Sequence, residues 1–386
     1  MFKRIALASV FITATVWSAV AQQDTSIVPN GGSAPRGLKG LFEGPGLKPT
    51  ADLRSVDGIS LGLSYKIETK GSAVNIHKLK ALHSLSTRSL VLAYDAEFAK
   101  VFKNTDIVVN ALADLKGNIM NYFGKGNDTE FERTGDFRKF YRANFSFYKL
   151  DPAFRFLLAE GFTLTAGPSL QYFVYGINGG RFIEGPSLID KDPDIFQEKA
   201  HGGLVLNFTL DRRDDVYLPG RGYKVNILIQ GYEGLNTRSA SYAQWFPQVS
   251  FYRALDKDGN ITIANRTGAG FTKGTTAFYQ HAFLGSEDAL LGFRKNRFAG
   301  EATLYNNLEA RIAIPNIISS LIPGRTGLIG FYDVGRVWVK KENSETIHQG
   351  VGGGIFFIPF NKIFLRGVAG FSEEGMQATV AVRQRF

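Results

Sequence analysis

Hydrophobic and polar residues alternate with a period of two over many stretches of about ten residues, as in a β-strand with one apolar face. The final stretch, residues 376–386, shows this pattern clearly. Val380 and Phe386 lie on one face, and Thr379 and Arg385 lie on the other. A single strand of this kind also occurs in soluble β-sandwiches, so the number of such strands has to decide between the two architectures.

Fifteen segments carry the alternation, and no stretch shows a convincing amphipathic helical repeat. The segments cover residues 59–69, 74–86, 89–102, 106–116, 137–149, 162–175, 202–212, 223–233, 243–255, 260–272, 302–314, 326–338, 347–360, 362–371 and 376–386. So many strands of this length predict an all-β protein, a transmembrane antiparallel β-barrel. Because strand number in bacterial barrels is even, we expect a sixteenth, poorly alternating strand within residues 38–53.

The connectors between the segments alternate in length. Those at 70–73, 103–106, 256–259 and 360–361 are short, whereas those at 117–136, 176–201 and 273–301 are long. Outer-membrane barrels have short periplasmic turns and longer extracellular loops. If the last strand ends in the periplasm, loop 273–301 is extracellular and is followed by five strands.

The first residues predict export. Lys3 and Arg4 precede an apolar run over residues 5–16, and small residues follow at 19–21. This is the pattern of a signal peptide, which we assign to residues 1–21. Residues 22–58 then form a turn-rich N-terminal arm that includes the expected first strand, and residues 59–386 form the barrel domain.

Composition favours the same class of protein. Glycine (43), phenylalanine (32) and tyrosine (15) are frequent and cysteine is absent, as in barrels with aromatic girdles at both membrane interfaces. The net charge of +10 suits lumen-facing arginines and contacts with lipid phosphates. We therefore expect outer-membrane lipids as partners, no nucleic acid, and an integral location in the outer membrane of a Gram-negative-type envelope.

The sequence predicts no enzyme chemistry. None of the five histidines forms a pair with the spacing of a helical zinc motif. The glycine-rich residues 350–355 are not followed by a helix, so they indicate a strand that packs under a loop or an aromatic ring. Residues 256–260 are typical of a hairpin turn rather than a calcium loop. No catalytic residue, metal site or cofactor is predicted.

Five stretches occur in a distinctive order along the chain. They are NYFGKGNDT (121–129), LDRRDDVYLPGRGYKVNI (210–227), LLGFRKNRFAG (290–300), NNLEARI (306–312) and GFYDVGRVW (330–338). Together they resemble motifs of the bacterial surface-antigen barrel superfamily, which contains the BamA/TamA assembly factors and the two-partner-secretion transporters. The resemblance implies a barrel, here of sixteen strands, whose long extracellular loop folds back into the lumen.

The second stretch is similar to a periplasmic turn of that family. The match places the turn motif on Asp211, Arg213, Asp214, Pro219 and Gly222. Aspartates in such turns can accept backbone N–H groups, and glycines permit positive φ. We therefore interpret this motif as structural.

The third stretch resembles the loop that enters the lumen in the family. The lumen-loop motif comprises Gly292, Phe293, Arg294, Arg297, Phe298 and Gly300. In the family an arginine at the loop tip contacts acidic residues of the lumen wall, but Leu291 occupies that position here. We predict that Arg294 or Arg297 replaces the missing arginine.

Two acidic residues are expected to receive the loop. The alternation puts Glu309 and Asp333 on the inward faces of their strands, where carboxylates need a cation. Pairing with the loop is one possibility; the other is pairing with the neighbouring Arg311 and Arg336. The final residue, Phe386, resembles the C-terminal aromatic sorting signal of such barrels and also fits a lipid-facing girdle position.

The resemblance implies a role in inserting proteins into the outer membrane or in translocating polypeptide or lipid, with unfolded outer-membrane proteins or an assembly complex as partners. Residues 22–58 are too few for the polypeptide-transport-associated domains that recruit clients in the family, which favours an accessory subunit. Two alternatives are a passive narrow pore or structural barrel without clients, and an accessory to a secreted hydrolase.

Overall fold

The structure is a computed structural model that describes residues 46–386, apart from 55–57, 71–73, 116–119, 190–191, 193, 287–288, 315–323, 341 and 360–363. The predicted signal peptide and most of the predicted N-terminal arm lie outside the described residues. Among the described residues, none of the helices has the length and apolar character needed to cross a membrane.

Sixteen strands form one antiparallel sheet in which each strand pairs with the next along the chain, as predicted. They are β1 (Gly46–Arg54), β2 (Gly58–Lys70), β3 (Val74–Ser84), β4 (Leu90–Phe102), β5 (Thr105–Leu115), β6 (Phe145–Ala159), β7 (Phe162–Tyr175), β8 (Lys199–Asp211), β9 (Arg221–Gly234), β10 (Tyr242–Ala254), β11 (Ile261–Gly274), β12 (Ala302–Ile314), β13 (Gly324–Trp338), β14 (His348–Pro359), β15 (Leu365–Ser372) and β16 (Gly375–Ala381).

The loops contain short elements. Two small hairpins pair Met120–Asn121 with Arg142–Ala143, and Ala282–Leu284 with Phe298–Gly300. Helical turns lie at Phe137–Phe140, Phe182–Glu184, Pro186–Ile189 and Phe278–Gln280.

Strand β1 lies where the weakly alternating first strand was expected. It overlaps the window 38–53 and pairs along its whole length with β2. The three long loops, 116–144, 176–198 and 275–301, emerge from one end of the sheet, and five strands follow the last of them. The predicted alternation of short turns and long loops is therefore confirmed.

Strand β6 differs from its prediction. The expected segment was 137–149, but the strand is Phe145–Ala159. The predicted segment ended before Pro152, which lies within the strand. In the structure the ladder to β7 is interrupted between Leu150 and Phe154, because a proline has no N–H to donate, and the strand continues past the gap.

The two faces of the sheet differ as the alternation predicts. In β2, Leu61, Leu63 and Tyr65 are exposed on the outer face, while Ser60 is buried on the inner face. An apolar band on the outside of a barrel contacts lipid in the membrane. The inner face is the polar lumen, and it carries the residues considered next.

The sheet begins at β1 and ends at β16, and the interval between these two strands is here called the seam. In the part of the chain that the structure describes, β1 pairs with β2 and β16 pairs with β15, and no hydrogen-bonded ladder joins β1 to β16. Strand β16 has seven residues, fewer than any other strand of the sheet. The described ladders therefore do not close the sheet at the seam.

Residues 382–386, here called the tail, leave the sheet and turn into the lumen. Phe386 is 7% exposed and packs against Tyr252 and Ala264 on the inner face. The prediction that Phe386 faces lipid is wrong, because the buried ion pair between Arg385 and Asp333 draws the tail inward. Its role as a sorting signal stays a prediction.

Candidate functional site

Loop 275–301 occupies the lumen. Its apolar side chains pack against each other and against the inner face of β12 and β13, with Leu290, Phe293 and Phe298 all at most 2% exposed. Burying these side chains gives the inward position a hydrophobic driving force. Burial also lowers the pKa of the loop residue His281 to about 3, so this histidine is neutral at physiological pH.

The loop tip, here residues 289–292, is bound to three strands by hydrogen bonds. The backbone N–H of Leu291 donates to Asp333 Oδ2 at 2.8 Å. Asn307 Nδ2 donates to the carbonyl oxygen of Ala289 at 2.6 Å. Ser372 Oγ donates to the carbonyl oxygen of Gly292 at 2.8 Å. In all three bonds a side chain of the wall binds a backbone group of the loop, so these bonds do not depend on the loop's own side chains.

Two glycines form the floor under the tip. A Cβ atom added to Gly350 of β14 would lie 1.9 Å from the carbonyl oxygen of Leu291, and one added to Gly370 of β15 would lie 2.5 Å from Gly292 N. Backbone therefore packs directly on backbone. The interpretation of residues 350–355 as a strand beneath a loop is confirmed.

Both predicted acids face the lumen and are buried, Glu309 at 1% and Asp333 at 0% exposure. Glu309 Oε1 accepts a hydrogen bond of 2.5 Å from Arg311 Nε. Asp333 instead binds Arg385, with Nη1 to Oδ1 at 2.8 Å and Nη2 to Oδ2 at 2.5 Å. The expected Glu309–Arg311 pair is therefore found, while the cation on Asp333 was not foreseen.

The prediction that Arg294 or Arg297 pairs with these acids is wrong. Both residues follow the tip and have other partners. The Arg294 guanidinium lies 5.0 Å from the centre of the Phe137 ring. Arg297 pairs with Glu374 and also donates from Nη2 to the carbonyl oxygen of Thr129 at 2.6 Å.

Glu374, the partner of Arg297, and Arg336 also have defined surroundings. Burial raises the pKa of Glu374, and Arg297 opposes that rise. Arg336 was the alternative partner of Asp333, but its Nη2 donates to the carbonyl oxygen of Ser344 and its guanidinium stacks on Trp338. Arg336 therefore belongs to the extracellular edge of the wall.

The stretch 121–129 caps the loop from outside. Gly126 N–H donates to the carbonyl oxygen of Ala299 at 2.9 Å. The Asn127 amide binds the backbone of Val337 twice, donating to its carbonyl oxygen at 2.8 Å and accepting from its N–H at 3.0 Å. The Asn127 side chain thus binds the edge of β13 with the same donor and acceptor groups that a neighbouring strand would use.

Replacing Asn127 with alanine is expected to lower the free energy of unfolding by about 1–3 kcal/mol, because the buried N–H and carbonyl of Val337 lose their partner. Urea unfolding of the protein in lipid vesicles measures the change. The exposed Asn236 provides a matched Asn→Ala control in the β9–β10 loop. Equal midpoints for the two variants would contradict this role of Asn127.

The turn between β8 and β9 has the predicted structural features. Asp211 Oδ2 pairs with Arg213 Nη2 at 2.6 Å, Asp214 Oδ1 accepts the Gly220 N–H at 3.0 Å, and Gly222 has a φ of 107°. Pro219 lies in the same turn. Asp215, which follows Asp214, was not predicted as part of the motif, although its side chain accepts hydrogen bonds from the backbone N–H groups of Tyr217 and Leu218.

Sequence reasoning also missed three residues of the site: Arg266, Asn307 and Arg385. Arg266 Nε and Nη2 donate to Asn307 Oδ1 at 2.9 and 2.7 Å. All three residues lie on the polar face of a segment whose sequence alternates, which indicates the direction of the side chain but not its partner.

Comparison with known proteins agrees with this architecture. Residues 197–358 match the sequence profile of the Omp85 superfamily domain. No curated protein sequence matches the chain closely enough to count as a relative. The profile match supports the resemblance over four of the five motifs, all except residues 121–129.

Three solved structures share the fold. BamA from Haemophilus ducreyi lacking POTRA domains 1–3 matches with a TM-score of 0.62 and 15% identity over 88% of this chain and 69% of that chain. CdiB from Escherichia coli gives 0.54 and 12% over 89% and 61%, and CdiB from Acinetobacter baumannii gives 0.51 and 13% over 83% and 55%. The chain therefore spans less than two thirds of either CdiB.

Proposed function

We propose that this chain, an integral outer-membrane β-barrel of the Omp85 superfamily, helps polypeptides to insert into or cross the outer membrane through the seam between β1 and β16. The family relationship supports an assembly- or translocation-type role. The seam is the observation that carries the more specific proposal.

An unpaired strand edge can hydrogen-bond an incoming strand. In the described residues β1 forms a ladder only with β2, and β16 only with β15, and the proposal assigns the opposite edge of these strands to the client. Pro49 in β1 is typical of an edge strand, because proline cannot donate to a second ladder. The short β16 and the inward tail shorten the other side of the seam.

A client strand would add to β1 by backbone hydrogen bonds, with alternate side chains facing lipid and lumen. Backbone pairing accepts many sequences, which suits a factor that handles varied outer-membrane proteins. An accessory subunit of an assembly complex is one form of this proposal, in which a partner protein delivers the client.

A closed structural barrel or narrow pore is the second candidate. It is favoured by the position of loop 275–301, whose tip and hydrophobic cluster fill part of the lumen. Such a barrel would show a small, steady conductance in planar bilayers and would not change the folding of other proteins.

Purified protein in liposomes tests the proposal. Unfolded outer-membrane protein is added, and its folding rate is followed by the appearance of the heat-resistant band on a gel. We expect faster folding than in empty liposomes, and loss of the acceleration when residues 275–301 are replaced by a short linker. Equal rates with and without the protein would contradict the proposal and favour the closed barrel.

A further inference from the structure

We propose that Arg385 of the tail supplies the buried cation that holds loop 275–301 in the lumen, and that Asp333 couples this loop to strand β16. Arg385 thus acts as a positioning residue for the loop. The inference concerns how two parts of the barrel hold each other and is independent of whether the protein handles clients.

Asp333 is the point where the loop and the tail meet. Its side chain and that of Arg385 are both 0% exposed. Oδ2 accepts from both the Leu291 N–H of the loop and Arg385 Nη2 of the tail, while Oδ1 accepts from Arg385 Nη1. One carboxylate therefore binds two segments that are far apart in sequence.

A second set of hydrogen bonds runs parallel to the first. Arg266 Nη1 donates to the carbonyl oxygen of Arg385 at 3.1 Å, and its other nitrogens donate to Asn307 Oδ1. Asn307 in turn donates to the carbonyl oxygen of Ala289 in the loop. Arg266, Asn307 and Asp333 are neighbours in register across β11, β12 and β13, so the links from tail to loop lie in one row.

Electrostatics explain why the cation is needed. A buried carboxylate without a cation is strongly unfavourable, and a bidentate arginine matches its geometry. The two arginines of the loop itself are engaged elsewhere: Arg297 contacts Glu374 and Thr129, and Arg294 stacks on aromatic rings. Leu291 packs in an apolar cluster with Ile329 and Phe331 and brings no charge.

The coupling has a consequence for the seam. The alternation of residues 376–386 is that of one continuous strand, yet the strand ends at Ala381. For the tail to extend along the seam, Arg385 has to leave Asp333, which removes the charge partner beneath the loop tip. Displacing the loop likewise removes one hydrogen bond from Asp333 and weakens its hold on the tail.

The absence of cysteine allows a direct test with the full chain in lipid vesicles. Ala289→Cys places a thiol at a buried position of the loop tip, and its labelling by a maleimide reports release of the loop. Arg385→Met, which removes the charge and keeps the length, is expected to increase the labelling rate about tenfold or more. Arg385→Lys restores most of the protection.

Two controls separate charge from packing. Arg383→Met changes the neighbouring tail arginine and is expected to leave labelling of the thiol at position 289 within about twofold of the parent. If Arg385→Met does not accumulate as a folded barrel, Arg385→Gln, which also removes the charge and leaves Asp333 without a cation, replaces it with the same expected increase. Parental labelling in the usable variant, or equal labelling with methionine and lysine at position 385, would overturn the role of Arg385.

Coupling is reciprocal, so displacing the loop should also loosen the tail. Val382→Cys reports the tail, where the native side chain is buried. Its labelling is expected to rise when Gly350→Ala displaces the loop tip. Release of the loop by Arg385→Met without this reverse effect would leave Arg385 as a support of the loop but overturn the coupling through Asp333.

Discussion

Replacing Glu309 with glutamine is expected to lower the free energy of unfolding by about 3–5 kcal/mol, because the change leaves the Arg311 cation buried without its acid. The two side chains are 2% and 1% exposed. Within the described residues the two terminal nitrogens of Arg311 have no hydrogen-bond partner, so Glu309 provides its neutralisation. Arg311 is 1% exposed, so water does not replace the lost partner.

Urea unfolding in lipid vesicles, followed by tryptophan fluorescence, measures this loss. The matched control is Glu160→Gln, because the Glu160 side chain is 93% exposed and its Oε2 lies 3.5 Å from Arg212 Nη1. An exposed pair of this kind contributes about 0–1 kcal/mol. If both variants unfold at the same urea concentration, the buried pair does not stabilise the barrel as argued.

Replacing Gly350 with alanine is expected to displace the loop tip from the lumen wall. The new methyl group would lie 1.9 Å from the carbonyl oxygen of Leu291, and backbone atoms cannot move aside as a flexible side chain can. Overpacking of this kind typically costs about 1–3 kcal/mol. The cost falls on the contact between loop and wall, so the strands themselves should stay paired.

Trypsin provides the measurement, because Arg294, Lys295 and Arg297 lie in the loop just after the tip. We expect faster cleavage in this segment for Gly350→Ala. Gly330→Ala is the matched control, since its Cβ would have no atom within 4 Å. Equal cleavage of the two variants would show that the glycine floor does not position the loop.

The sequence was sufficient to predict the strands of the barrel wall but not the contacts within the lumen. A strand with one face to lipid repeats its pattern every two residues, so β2 and β12 could be located closely from alternation alone. The predicted β6 ended at residue 149, before Pro152, whereas the strand continues past this proline because a ladder can tolerate one gap. Local pattern determines where strands lie, whereas a single interruption is decided by the neighbouring strands.

The lumen contacts were harder to predict because they join distant residues. Alternation showed that Asp333 points inward, but its partner depended on the path of segments that do not alternate. Arg297 was a predicted partner of the lumen acids but binds Glu374. The cation on Asp333 is Arg385, from a tail that was expected to remain in the sheet. An unpaired inward carboxylate identifies the need for a cation without identifying its source.

The central claim is that clients use the seam between β1 and β16, and locking this seam tests it most directly. A cysteine in each of the two strands, introduced into the cysteine-free chain, allows a disulfide to form on oxidation and to be removed by a reductant. In liposomes containing the locked protein, an unfolded outer-membrane protein should fold no faster than in empty liposomes, and reduction should restore the acceleration. Equal acceleration by the locked and reduced forms would contradict a role for the seam.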